Sequence, residues 1–213
     1  MFHVLIATAG APEFLQIQVR LLRALCADSL QIVVVNDAKD FADHSNFGQA
    51  DAAEQISAVC KQEGLIELRY PQHLHRKRLR PPRKSLPSQR TSESLQFGYD
   101  HILKSGATRV AVIDSDMFPF VRFSFTELLG QADMAGIPQQ RANILFRSIK
   151  VNYLWNGVLL LNVETMQSPS RLDFGCGYVN FTNTDSGGRI AHYLKEFPNT
   201  RVRPLAALNS GGW

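Results

Sequence analysis

The chain has 213 residues, 45% of them hydrophobic and 20% charged, with a formal net charge of +4. That length can bury a core without disulfide staples, and that composition excludes a disordered chain and a fibrous repeat. No apolar run approaches the ~20 residues of a membrane span, and Cys26, Cys60 and Cys176 are too few and too scattered for a disulfide framework or a zinc cluster, which points to a reducing, cytoplasmic setting.

Residues 3–8 (HVLIAT) predict a buried strand; the run is short, lacks a basic flank and leads straight into a helical pattern, so a secretory signal is not expected. Pro12 opens a helix whose inner face is expected to carry Phe14, Leu15, Ile17, Leu21, Leu22 and Leu25. Residues 31–36 (QIVVVN) predict the second strand. Residues 49–63 predict a helix with the stripe Ala50, Ala53, Ile56 and Val59, stopped by Gly64. Residues 65–70 predict the third strand, 71–89 a long Pro-containing loop, and 91–104 a helix starting at Thr91 and ended by Gly106. Residues 109–114 (RVAVID) predict a fourth strand, apolar in its middle and so central in a parallel sheet.

This βαβαβαβ grammar is that of a doubly wound half-domain. Beyond it, 133–138, roughly 144–152 and 157–163 predict strands without good helices between them, and 186–196 a final helix. No repeat or linker divides the chain. The expected fold is a single α/β domain with a Rossmann-like front half (1–116), a mixed central sheet and a smaller back half (117–213).

The positive charge is concentrated. Between Glu67 and Glu93 there is no acidic residue, while Arg76, Lys77, Arg78, Arg80, Arg83, Lys84 and Arg90 all fall there, and outside that segment acidic residues outnumber basic ones. Such a focus suits an anionic partner, or is simply a solvated basic loop.

Asp114, Ser115 and Asp116 close the fourth strand, where ligands bind in open α/β sheets. Side chains two apart on an extended segment point the same way, so the carboxylates are expected to converge on Mn²⁺ or Mg²⁺, which would neutralise a diphosphate. The alternative is a turn cap and a solvated Asp. Asp37 holds the equivalent place after the second strand, suited to a ribose or base edge, or to an Asx turn. Thr8, Ala9 and Gly10 after the first strand are small enough for a nucleoside to approach their backbone. No G-x-G-x-x-G or Walker pattern is present, which argues against dinucleotide oxidoreductases and P-loop enzymes. Trp155 can serve as a sugar platform or as a core residue, and Phe118, Phe120, Phe123 and Phe125 are expected mainly in the core.

With Thr8–Gly10, Asn36–Asp37, Arg90 with Ser94, VIDSD at 112–116, Trp155–Asn156–Gly157 and TDSGG at 184–188 in this order, the chain resembles the GT-A glycosyltransferases, which transfer a sugar from a nucleotide sugar with a D-x-D metal site. More remotely it looks like the capsid-glycan sugar transferases of large algal viruses. The resemblance implies a nucleotide-binding half and an acceptor-side half. It implies Asp116 as principal metal ligand, Asp114 on the ribose or metal, Ser115 beside them, and Thr8 and Asp37 on the nucleoside. Asn156 and Gly157 would meet the donor sugar. Arg90, adjoining a helix N-terminus, is expected on the diphosphate. Asp185, at the expected start of the final helix whose dipole would favour its ionised form, is expected on the acceptor side, as catalytic base if the enzyme inverts or as a donor-sugar or acceptor contact if it retains. The donor would be a UDP-sugar, with a GDP-sugar the second choice, and the acceptor a glycan or glycoprotein, with no nucleic acid and no membrane span.

The pattern departs from the family at the tail. Residues 207–213 offer no His as third metal ligand, so a water completes the shell or the chain is part of something longer; His192 is expected to pack rather than ligate. Asp185 is also a natural helix N-cap, and Asp173 is the alternative base. A strand followed by D-x-D also opens haloacid-dehalogenase-like phosphatases, which place Thr or Val where Phe118 stands. A polyanion-binding module built on residues 76–90 is a third reading, weakened by the lack of interleaved aromatics.

Overall fold

The computed structural model describes residues 1–41, 49–78, 87–143 and 145–206. The tail 207–213 and the middle of the expected basic loop lie outside the described residues. The elements are β1 (Phe2–Thr8), α1 (Pro12–Leu25), β2 (Leu30–Asn36), α2 (Ala52–Gln62), β3 (Ile66–Arg69), α3 (Gln72–Arg78), α4 (Pro87–Lys104), β4 (Arg109–Ile113), α5 (Phe125–Leu129), β5 (Met134–Ala142), β6 (Lys150–Asn162), β7 (Gly177–Val179), β8 (Thr182–Thr184), α6 (Ile190–Glu196) and β9 (Val202–Pro204).

Seven strands form one mixed sheet in the order β3, β2, β1, β4, β6, β5, β9, and β7 and β8 pair in a separate hairpin. The first four strands of that order are parallel, β6 is antiparallel to both neighbours, and β9 runs parallel to β5. This is the expected α/β architecture with a mixed central sheet. Both faces are covered, which is why the central strands read as unbroken apolar runs. Leu5, Val33, Val35, Val110 and Val112 face one core with α4 and α6, while Val4, Ile6, Ile32, Val34 and Ala111 face the other with α1, α2 and α5. Gly98 lets α4 lie close on the sheet, since a Cβ there would come within 2.4 Å of Leu5 and 2.6 Å of Val35.

Several expectations are corrected. The buried face of α1 is Leu15, Gln18, Val19 and Leu22, and Phe14 and Ile17 are each 49% exposed, because a single helix face runs through i, i+3, i+4 and i+7. In α2 the stripe is Ala52, Ala53, Ile56 and Cys60, with Ala50 exposed. The expected loop begins instead as helix α3, and α4 starts at Pro87, four residues before Thr91. The two strands expected around 144–152 and 157–163 are one strand, β6. The chain before it turns on Asn143, whose side-chain oxygen accepts the N–H groups of Leu145 and Phe146 at 2.9 Å each. Phe123 and Phe125 pack with Phe2 as core, but Phe120 is 89% exposed and Phe118 stacks edge-on against Phe14 at the surface.

Asp133 fastens β9 to the sheet. It accepts the Arg201 guanidinium at 2.7 and 3.2 Å, the Arg201 backbone N–H at 2.9 Å and the Thr165 hydroxyl at 2.6 Å. The Arg201 bonds hold its carboxyl down at about 2. A depressed folded value means stabilisation complete above the unfolded value of about 4 and lost as pH falls toward 2. Asp133→Asn should therefore lower the melting temperature by about 5 °C at neutral pH, with the gap to wild type closing as the scan is repeated down through that window.

Candidate functional site

Because β1, β2 and β4 are parallel, their carboxyl ends share one edge, and Thr8, Asp37 and Asp114 follow each other there. Thr8 pairs with Asn36 in register, and the Asp37 N–H donates to the Thr8 carbonyl at 2.7 Å. The buried Thr8 hydroxyl donates to the Gly10 carbonyl at 2.9 Å, which shapes the small loop of Ala9 and Gly10 and leaves its backbone as the surface a nucleoside would meet.

Asp37 is buried, with its carboxylate 2.5 Å from Arg90 Nε, and a second guanidinium nitrogen donates to the Asp37 carbonyl. Arg90 therefore holds Asp37 in place at the edge, instead of standing in an exposed basic patch. His75, which the sequence did not single out, is fully buried with Nε2 3.4 Å from Asp37 and its ring 5.1 Å from Tyr70. Ser94 donates to the Arg90 carbonyl at 3.0 Å inside α4.

β4 stops at Ile113, and residues 114–117 form a turn closed by the Met117 N–H on the Asp114 carbonyl at 3.1 Å. The expected convergence through extended-strand alternation is thus corrected: a turn, and not a strand, places Asp116 relative to Asp114. Asp116 is exposed and Asp114 half-buried. Burial first, and then the nearby carboxylates of Asp116 and Asp185, push the Asp114 carboxyl up to about 6. Gln18, in the buried stripe of α1, clamps this turn, donating from Nε2 to the carbonyls of Asp114 at 2.6 Å and Met117 at 2.7 Å. Its one legible signal was a polar residue interrupting an otherwise apolar helix face.

β6 supplies the floor. The β5 register steps from Gly136 opposite Leu159 to Ile137 opposite Trp155, so Asn156, Gly157 and Val158 bulge out of the β5 ladder. The Gly157 carbonyl accepts the Asp114 N–H at 2.9 Å, joining the bulge to the acidic turn. The half-buried Trp155 ring lies over Gly157, where a Cβ would come within 2.2 Å of it. Asn156 is fully buried; its Oδ1 accepts Ser186 Oγ at 3.1 Å, while its Nδ2 has no acceptor among the described residues.

Asp185 and Ser186 are carried on a turn laid against this bulge. Gly187 (φ +84) donates to the Phe174 carbonyl at 2.8 Å, and a Cβ there would meet the Leu154 carbonyl at 2.9 Å. Asp185 is not at a helix start, since α6 begins at Ile190, so the helix dipole expected to support its ionised form does not act on it. Its carboxylate accepts the Ser186 N–H at 2.8 Å and is 3.9 Å from Arg141. Asp173 pairs with Arg189 at 3.2 Å and accepts the Gly175 N–H. His192 is exposed, so it does not pack as expected.

Among the described residues no group of three or more His, Cys, Asp or Glu side chains is arranged as a ready metal cage. The donor set at the acidic turn is nonetheless that of a hard cation. The carboxylates of Asp116 and Asp185 act on Asp114 at close enough range to raise it, and Mg²⁺ and Mn²⁺ sites commonly combine one or two carboxylates with water and phosphate oxygens. No helix of the described residues is long and apolar enough to cross a membrane.

No protein-family model matches the chain, and no curated protein matches it. Among solved structures it is similar to the mannosyltransferase PcManGT from Pyrobaculum calidifontis in complex with GDP-Man and Mn²⁺, at 9% identity and a TM-score of 0.52. The match covers 97% of this chain and 55% of that one, so the chain spans about half the length of the structure it resembles. The likeness establishes the mixed α/β fold that the two chains share.

Proposed function

We propose that the chain transfers a sugar from a nucleoside-diphosphate sugar to an acceptor hydroxyl, with a Mn²⁺ or Mg²⁺ ion held by Asp116 and Asp114. The observation that carries this reading is the gathering of Asp114, Asp116 and Asp185 with the unpartnered Asn156 amide at the carboxyl edge of a glycosyltransferase-type sheet. Bound there, the cation would neutralise the diphosphate as it departs. Asp37, fixed by Arg90, and the backbone of Thr8, Ala9 and Gly10 receive the nucleoside. Ser115 sits between the ligand carboxylates. Asn156 Nδ2 donates to a donor-sugar hydroxyl beside Gly157, and Trp155 offers its ring to the sugar's apolar face. Asp185 takes the acceptor proton if configuration inverts, or contacts donor or acceptor if it is retained.

The GDP-Man held by the structural neighbour makes a GDP-sugar a full alternative to the UDP-sugar of the sequence reading; the acceptor is a glycan or glycoprotein. The structural neighbour supports the sugar-transfer reading and not the viral capsid-glycan likeness. The phosphatase reading finds no support in a fold of this type. A polyanion surface on residues 76–90 loses Arg90, which is buried on Asp37.

Thermal shift against UDP, GDP and their sugar conjugates, with and without Mn²⁺, tests the reading. Stabilisation by one nucleotide set only when metal is present is expected, and no metal-dependent stabilisation by any of them would overturn it. Asp185→Asn should lower transfer by about 100-fold or more with donor binding and melting temperature unchanged, because Asn can still accept the Ser186 N–H but cannot take a proton. Full turnover in that variant would reduce Asp185 to a turn residue.

A further inference from the structure

β6 is antiparallel to β4, and its Val158 pairs with the last residue of β4, Ile113. The stretch from Lys150 to Asn156 therefore runs past the sheet's carboxyl edge with its partner β5, for about 20 Å at ~3.3 Å per residue. The hairpin so formed stands on the same edge as the acidic turn. At its tip Leu145 is 84% and Phe146 62% exposed. The β7–β8 hairpin ends beside it: Asn143 Nδ2 donates to the Phe181 carbonyl, and Phe181 is 83% and Tyr178 79% exposed. Asn180 and Phe181 both take positive φ, 47° and 60°, which turns the Phe181 side chain outward at the cost of a backbone conformation that non-glycine residues rarely adopt.

Two hairpin tips are thus tied together to display large apolar side chains that are mostly exposed. The charge on the tips themselves is positive, carried by the exposed Arg147 and Lys150, while Arg141, nearer the crevice, lies 3.9 Å from Asp185. Residues 139–153 and 174–184 contain Arg141, Arg147 and Lys150 and no Asp or Glu, and all three cations are exposed. Aromatic and aliphatic tips ringed by cations match the headgroup and upper acyl region of an anionic bilayer, where the rings sit among the headgroups and Lys and Arg meet the phosphates. Leu145, which offers no face for stacking on a sugar, fits a lipid surface better than a glycan. We propose that the paired tips at Leu145–Phe146 and Tyr178–Phe181 dock the protein on an anionic membrane surface, with the carboxyl-edge crevice turned toward it. This inference is independent of the transfer reaction, and either can fail without the other.

Co-sedimentation with phosphatidylcholine vesicles, with and without about a quarter phosphatidylglycerol, tests it. The wild-type chain should bind the anionic vesicles and fall off with added salt. Arg147→Ser with Lys150→Ser should weaken that binding about 30-fold, at roughly fivefold per cation. Leu145→Ser with Phe146→Ser and Phe181→Ser should abolish it, with an unchanged melting temperature because none of these side chains is core. As a second readout, Phe146→Trp should give an emission blue shift on anionic vesicles. Equal sedimentation with neutral and anionic vesicles, unchanged binding by the Ser variants, or no shift from the Trp probe would overturn the proposal. So would a wild-type dimer that the triple Ser variant dissolves without any vesicle binding, which would assign the tips to a second copy of the chain.

Discussion

Asn in place of Asp116 should weaken metal-dependent nucleoside diphosphate binding by more than about 100-fold, because even outer-shell changes at metal sites cost about 10- to 100-fold and this one removes an oxygen anion from the cation itself. The side chain is exposed and sits on a turn held by other groups, the Gln18 amide and the Met117 N–H. The fold should consequently be untouched. Calorimetry with Mn²⁺ and GDP or UDP reads the first effect and a melting curve the second. Unchanged metal-dependent binding would remove Asp116 from the site, whereas a large drop in melting temperature would make it structural.

Arg90→Ala should act in the opposite way. Both partners of the Arg90–Asp37 pair are buried, at 9% and 6% side-chain exposure, and lie 2.5 Å apart. Taking away the guanidinium breaks a close buried charge pair, a loss of about 3 kcal/mol, readable as a lower urea midpoint. Removing both charges together, as Arg90→Met with Asp37→Asn, should recover part of that loss, since the cost of a broken buried pair comes mainly from the charge left behind. A guanidinium devoted to a diphosphate would give the reverse pattern: a normally stable Arg90→Ala variant that binds nucleotide poorly.

The front half was legible because both sheet faces are covered, so β1, β2 and β4 appear as apolar runs bounded by small or acidic residues, and the acidic ends fall on one edge by parallel topology alone. Periodicity told less where polar groups are buried. Gln18 faces the core only because its partners are backbone carbonyls 96 and 99 residues away, and His75 enters the interior beside Asp37 from a segment whose composition reads as a loop. The bulge at Asn156 to Val158 hid the continuity of β6 because extra residues shift the alternation that marks a strand. Asp185 stands out in the sequence beside Gly187 and Gly188, but its placement depends on Gly187 lying against Leu154, a contact between distant segments that no local pattern announces.

The antiparallel insertion of β6 also orders events during synthesis. Strands β1 to β4 can pair as soon as the first 113 residues are out, but the free side of β4, Arg109 to Ile113, waits for a partner that lies more than forty residues later in the chain. Until β6 arrives, an apolar edge with open hydrogen-bonding groups is available to any other strand, the situation that favours misassembly. The Asp114 N–H waits with it, because its acceptor is the Gly157 carbonyl. The nascent chain therefore passes through a stage in which its first four strands are built and the acidic turn is held from one side by Gln18 alone, and the second anchor, the Gly157 carbonyl, arrives only with the strand that closes the gap.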